Sequence, residues 1–543
     1  MRRLAASRHA SLAGLVPAAK ALYAVHTWRS TSRPVIVITD GARQAETLHE
    51  LICTFFDILT DSAASGRPQL IPALDVLPAQ QLSPHSEISE QRAVGLWRLA
   101  MGTAPITVTP VTSAVLRTRK GEYYKQLALT LKTTEEISQE DLAAHLVSIG
   151  YERREPVEMV GEFSIRGGIV DIFPAEADKP IRMEMFGDLI ESMRKFDVDT
   201  QRSVLKVAQV TLLPLVEYPR TEHSASGWEF RQAQDEPRDF CIFDLVQKPV
   251  VLIDEPEQVK AAAERLWIRL DSPPKDDGAI FDPVPSESIF YRWEEFEKQT
   301  KRNAILEFRQ LSLEEGGGHI SSRPAMAFHG NIPAVIAETR SLVEKGERAV
   351  FFASSTGEVE RLADVFTEYS LPFTVCLDSS EAAPYAANRG WSGPSSGNVL
   401  LSKGAIRRGV SFPEEKLTLF GSEDLFDSSD LVAHPVNTKS AAAAFAADLA
   451  DLKPCDHVVH VTHGVGRFIG LKELGEGDQK GDFMVLEYAG DSKLYVPLTR
   501  LDLVQKYRGA GDNKPGLDKL GGVTWTKTKS RVKAKCAIWP TSS

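Results

Sequence analysis

The sequence predicts a multi-domain α/β protein: a degenerate P-loop-like α/β domain with an inserted small β-rich domain, a second α/β domain, and a C-terminal SH3-like β-barrel. Three observations carry that expectation. Residues 34–39 and 250–253 are unbroken apolar runs followed by acidic residues, as in strands buried on both faces of a parallel sheet. Residues 163–186 instead alternate apolar with polar positions, as in antiparallel strands with one solvated face. Beyond Cys455, short apolar strands recur at even spacing between turn signals.

With 543 residues the chain has room for about three to five domains, each with its own core. Its 43% hydrophobic and 25% charged residues are ordinary for a globular protein, and a net charge of −11 argues against a generally basic DNA coat. Cys53, Cys241, Cys376, Cys455 and Cys536 form no CxxC pair, so neither a metal site nor a disulfide framework is expected, and a reducing cytoplasm is. Met1-Arg2-Arg3-Leu4 leads into no apolar signal segment, and no stretch is long enough to span a membrane.

The first part of the α/β domain is placed at 1–120. Gly14 and Lys20 fall on the first glycine and the lysine of the phosphate-loop pattern G-x-x-x-x-G-K-[ST]. Ala19 replaces the second glycine, whose missing side chain lets amides close on phosphate, and Ala21 replaces the hydroxyl that reaches magnesium. No Gly-Lys dipeptide occurs anywhere in the chain. Residues 34–40 are the next buried strand, 42–56 a helix with Ala45, Leu48, Leu51, Ile52 and Phe55 on one stripe, and 105–109 a further strand. The inserted β-rich domain is placed at 121–207. In it 163–165 and 169–173 make a hairpin turned by Arg166-Gly167-Gly168, and 181–186 a third strand with Arg182 and Phe186 on its polar face.

The second part of the α/β domain covers 208–325. Strands are expected at 208–215 and 240–246, and a buried strand at 250–254 ends in Asp254 and Glu255, acids placed as in a strand that holds magnesium. Without a phosphate loop to serve, Gly14, Lys20, Asp254 and Glu255 make a degenerate nucleotide site, so neither cofactor nor ATPase activity is expected. A glycine boundary at 316–318 opens the second α/β domain, 326–436, with helices at 332–344 and 358–369 and strands at 349–354, 373–376, 399–401 and 417–420. An Ala-rich linker helix is expected at 437–453, a loop at 381–397, and a basic tail at 511–543. The barrel, 454–510, takes strands at 457–461, 465–469, 483–488 and 493–497; His457, His460 and His463 alternate faces and do not suggest a shared metal ion.

Two stretches resemble known families. Arg166, Asp171, Pro174, Gly187-Asp188, Arg194, Phe196-Asp197 and Gln201-Arg202-Ser203 together resemble the small domain shared by the excinuclease B subunit and the transcription-repair coupling factor family. The resemblance implies docking onto the excinuclease A subunit, with Arg166, Arg182 and Phe186 matching the residues that hold it. H-V-T-H-G-V-G-R-F and L-E-Y-A-G-D-S-K-L-Y-V-P resemble the RNA polymerase-interacting domain of coupling factors and CarD-type regulators. That implies binding to the polymerase β subunit, for which Leu494, Tyr495, Val496, Leu498 and Leu501 are the candidate contacts. Only the coupling factor family joins the two modules in this order. Its members use ATP and magnesium in helicase-like motor domains that track DNA. Neither those nor the C-terminal domain is expected within this chain, so it reads as the non-motor half, an adaptor in transcription-coupled repair. Between 77 and 84 no aromatic residue is present to stack on bases, so lesion verification is not expected. A CarD-like regulator without repair coupling is the alternative.

Overall fold

The computed structural model describes residues 8–60, 66–76, 84–198, 200–217, 238–271, 285–311, 318–376, 399–425, 457–460, 464–474, 481–489, 492–497 and 504–506. The chain divides into two compact units, 1–426 and 427–543.

In the first unit β1 (His9–Ala13), α1 (Pro17–Thr31), β2 (Val35–Thr39), α2 (Ala42–Leu59), β3 (Gln69–Leu70), α3 (Ser86–Met101) and β4 (Ile106–Pro110) alternate strand and helix. The chain then leaves for the insert: α4 (Gly121–Leu127), β5 (Leu129–Lys132), α5 (Gln139–Ser148), β6 (Glu152–Arg153), β7 (Glu162–Arg166), β8 (Ile169–Ile172), β9 (Ile181–Phe186), β10 (Leu189–Phe196), β11 (Ser203–Lys206) and β12 (Gln209–Leu212). It returns as β13 (Val250–Asp254), α6 (Pro256–Leu270), α7 (Trp293–Thr300), β14 (Ala304–Arg309) and β15 (Gly318–His319). The seven strands β15-β1-β14-β13-β2-β4-β3 form one parallel sheet. Helices cover both faces, which is why β2 and β13 are apolar at nearly every position.

Two expectations change here. Residues 240–246 do not form a strand. Asp244 Oδ2 accepts the Cys241 N–H at 2.9 Å and its Sγ–H at 3.1 Å, curling Ile242–Leu245 into a 3-10 turn. Gly318, read as part of a flexible boundary, instead pairs with Leu12 as the edge of the parallel sheet.

The insert is a six-stranded sheet, β11-β10-β9-β8-β7-β6, antiparallel except where β6 meets β7. One face is core: Phe163, Val170, Ile172, Ile181, Met183 and Met193 pack against Leu142 and Leu146 of α5. At its base β5 pairs antiparallel with β12, so 209–212 belong structurally with the insert. Arg92, 2% exposed, reaches from α3 to Glu217 at 3.1 and 3.2 Å and fixes the returning chain.

The second α/β domain contributes β16 (Arg323–Pro324), α8 (Ile332–Glu344), β17 (Arg348–Ala353), α9 (Thr356–Glu368), β18 (Thr374–Cys376), β19 (Val399–Lys403), β20 (Val410–Phe412) and β21 (Leu417–Phe420) in a mixed sheet, β16-β20-β21-β17-β19-β18. It is not an independent lobe. Phe352, Ile406, Phe412 and Leu419 share one apolar core with Ile52 and Phe56 of α2.

The second unit holds β22 (His457–His460), β23 (Gly464–Leu474), β24 (Gly481–Glu487), β25 (Lys493–Pro497) and β26 (Val504–Lys506), a five-stranded antiparallel sheet ordered β25-β24-β23-β22-β26. No pairing among the described residues closes β25 onto β26. The expected linker helix, the 381–397 loop and the basic tail lie outside the described residues, as do 77–83.

Candidate functional site

Lys20, Asp254 and Glu255 do meet, whereas Gly14 lies beside His319 and Ile320. Gly14 leaves β1 in a left-handed conformation, φ +80°, and α1 begins at Pro17 after only Leu15 and Val16. Lys20 Nζ lies 2.6 Å from Asp254 Oδ1 and 2.6 Å from Glu255 Oε1. Burial alone would lower the Lys20 pKa, but the two carboxylates outweigh it and hold the ammonium above its ordinary value. Burial pushes the Asp254 carboxyl up, against the pull of Lys20 and the Gln44 amide. One ammonium is thus divided between two acids.

The segment ahead of α1 is tied down by bonds within the fold. Ser322 Oγ donates to the Gly14 carbonyl at 2.6 Å and accepts the Val16 N–H at 3.0 Å, while the Leu15 N–H donates to Arg309 O at 3.3 Å. Leu15 and Val16 are buried, and a side chain at Gly14 would strike Ile320 O. The Leu15 and Val16 amides are therefore spent within the fold. Ala19 and Ala21 sit inside α1 at zero exposure, so they mark core positions rather than the sole defects of a loop. A polar cavity of about 530 Å³ remains beside Lys20, lined by Asp40, Arg43, Gln44, Gln258 and Gln310.

Arg166, Arg182 and Phe186 all lie on the outer face of the insert, opposite its core. Cross-strand register aligns Ser164, Asp171, Arg182 and Arg194 in one row and Arg166, Ile169, Glu184 and Ser192 in another. Phe186 is 77% exposed at the end of β9, about 13 Å along the strand from Arg182. Arg182 is turned inward. Its Nε and Nη2 donate to Asp171 at 2.7 and 2.8 Å, Nη2 also to Gln201 Oε1 at 3.0 Å, and its guanidinium stacks 4.4 Å above Phe196. The Asp171 carboxylate, first among the causes, holds the Arg182 pKa above its usual value. Arg166 gives only Nη2 to Asp171, at 3.0 Å, and its side chain is 43% exposed. Ile169 and Phe186 are exposed apolar residues of this face.

In the second unit Leu494 is half-buried on β25, which also carries Tyr495 and Val496; Leu498 and Leu501 lie outside the described residues. β25 pairs only with β24 among those residues. A bulge between Phe468 and Gly470 bends β23.

Residues 129–218 match the UvrB interaction domain, and residues 452–508 match the CarD-like/TRCF RID domain. Curated proteins named transcription-repair-coupling factor are similar along almost the whole chain. Those of Staphylococcus aureus (strain MSSA476) and Bacillus subtilis (strain 168) are each 26% identical over 96% of this chain and 47% of their own length. This chain is a homologue of the transcription-repair-coupling factors. It spans about half the length of the factors it matches.

The ordered motif that resembles these factors proves to be a physical network. Asp171, Arg182, Phe196 and Gln201, scattered in sequence, meet around one guanidinium. Sequence reasoning named Asp171 but missed its role, since register alone shows which arginines reach it. Ile169 was missed because an apolar strand residue reads as core. Ser322, which bonds the Gly14 carbonyl and the Val16 amide, carries no sequence signal at all.

Proposed function

We propose that this chain is an adaptor in transcription-coupled nucleotide excision repair. Its insert engages the excinuclease A subunit through the outer face bearing Arg166, Arg182 and Phe186. Its C-terminal sheet, an SH3-like barrel whose last strand returns beside the first, engages the RNA polymerase β subunit through Leu494, Tyr495, Val496, Leu498 and Leu501. The single observation that carries the reading is the presence of both matched domains in one chain, in the order found in the coupling factors. Within the insert, guanidinium groups beside an exposed aromatic suit an acidic partner surface with an apolar pocket.

The Gly14–Lys20–Asp254–Glu255 site binds no nucleotide in this reading. The chain needs neither ATP nor magnesium to hold its partners, and it acts in the cytoplasm. Parallel pull-downs of purified chain with RNA polymerase and with the excinuclease A subunit test the adaptor role. Retention of both supports it. Retention of polymerase alone would leave a CarD-like regulator, and retention of neither would end the proposal.

A further inference from the structure

We infer that Asp171 is a positioning residue for partner capture: its buried carboxylate pins Arg182 and holds Arg166 with its remaining donors turned to solvent. The inference rests on the proposed engagement of the excinuclease A subunit through this face. Asp171 is 2% exposed at the centre of the sheet, between β7 and β9. Its Oδ1 accepts from Arg182 Nε at 2.7 Å; its Oδ2 accepts from Arg182 Nη2 at 2.8 Å and from Arg166 Nη2 at 3.0 Å. One carboxylate oxygen therefore brings two guanidinium groups together that would otherwise repel.

The two arginines are not equivalent. Arg182 also gives Nη1 to Gln201 O at 3.3 Å and Nη2 to Gln201 Oε1 at 3.0 Å, and its guanidinium carbon sits 4.4 Å from the Phe196 ring centroid. Little of it is left for a partner. Arg166 stands at the end of β7, beside the Gly167-Gly168 turn, and is tied down by the single Nη2 bond to Asp171 and a loose 3.6 Å contact of Nη1 with exposed Glu155. The Asp171–Arg166–Arg182 trio carries one net positive charge, and its solvent side is Arg166. A partner carboxylate can take that side as a forked pair while Ile169 and Phe186 enter an apolar pocket. Without Asp171 the Arg166 side chain would have to be ordered on binding, a loss of roughly tenfold in affinity.

Asp171→Asn keeps the shape and removes the charge. In the free full-length chain with 15N-arginine, the Arg182 Nε–H signal is expected to exchange slowly with water. In Asp171→Asn both arginine signals should shift and exchange faster, with assignments taken from Arg166→Lys and Arg182→Lys. Titration against purified excinuclease A subunit should show about a tenfold loss for Asp171→Asn, and less than about threefold when the same change is made in Arg166→Ala, because the two act as a unit. Arg166→Lys, at a half-exposed site, keeps the charge without the fork and should lose a similar factor with the fold intact. It decides the matter if Asp171→Asn does not fold. Unmoved arginine signals, full affinity of Asp171→Asn or of Arg166→Lys, or an equal loss in the Arg166→Ala background would overturn the inference. If the unmodified chain does not bind the subunit, it is the proposed function that fails, and the arginine signals alone then decide whether Asp171 positions the pair.

Discussion

Lys20 Nζ lies 2.6 Å from the Asp254 carboxylate, and neither side chain is more than 5% exposed. A buried pair of this kind is costly to break from one side, because the survivor is left charged without a partner. Lys20→Met should therefore destabilise the first unit by about 3–5 kcal/mol, while Lys20→Met with Asp254→Leu should recover much of that loss. Chemical denaturation of the three proteins measures it. The pH dependence follows in sign. The folded Lys20 pKa is raised above 10.5, so its contribution is complete below that value and is lost as pH climbs through the folded pKa. On the alkaline side, the unfolding curves of the unmodified chain and Lys20→Met should converge in that range.

Restoring the phosphate-loop consensus should not restore nucleotide binding. Ala19→Gly with Ala21→Ser repairs the motif as written, yet Ser322 still occupies the Gly14 carbonyl and the Val16 amide. Calorimetric titration with ATP and magnesium should show no heat beyond dilution for either the unmodified chain or the repaired variant. A micromolar site in either one would mean that the 319–322 segment can leave.

The contrast shows what was legible in the sequence. Strands buried on two faces, the stripe of α2 and the alternation of β9 are local patterns, and they read correctly from residue order. The segment 240–246 did not, because a single side chain, Asp244, captured the Cys241 amide and turned an apolar run into a 3-10 turn. The meeting of Lys20 with Asp254 was inferable from motif placement. What fills the loop was not, since Gly14 and Ser322 stand far apart in the chain and their contact depends on how the second α/β domain packs on α2.

Arg182 and Phe186 should separate stability from binding. Phe186 projects into solvent, so Phe186→Ala should change unfolding stability by less than about 0.5 kcal/mol. If it is an anchor for the excinuclease A subunit, the same change should cost about 2 kcal/mol of binding, roughly thirtyfold. Arg182→Ala should do both kinds of damage, because it leaves buried Asp171 with Arg166 alone. Thermal unfolding beside titration against the subunit checks both variants. Equal melting of the two would show that the Asp171 network does not hold the insert.

Ile169 offers an independent probe of the same face. It shares a cross-strand row with Arg166 and Glu184, and it is exposed although the rest of β8 is buried. Ile169→Asp puts a like charge before an acidic partner and removes apolar area from the patch. Binding to the excinuclease A subunit should fall at least tenfold, by about 1.4 kcal/mol, with the far-ultraviolet circular dichroism unchanged. Full affinity would confine the interface to the Phe186 side of the sheet.

The proposed polymerase contact can be tested at the outer edge of β25. Among the described residues that strand has one neighbour, β24, with Leu494 opposite Leu486 and Pro497 opposite Phe483. An open edge can accept a partner strand, whose backbone bonds give affinity while alternate side chains give selectivity. Pro497 has no N–H to donate, so any added strand must take its register from Lys493–Val496 and leave the sheet near Leu498. Leu498 and Leu501 follow in the sequence and are the proposed apolar contacts. Arginine at either position would have to bury a charge against the partner, at a cost of about 2 kcal/mol or more, while the pairing of β22 through β25 stays intact. Leu498→Arg and Leu501→Arg should each abolish retention of RNA polymerase in pull-down without altering the circular dichroism spectrum. Retention of polymerase by both variants would place the contact on another part of this sheet and remove β25 as its edge.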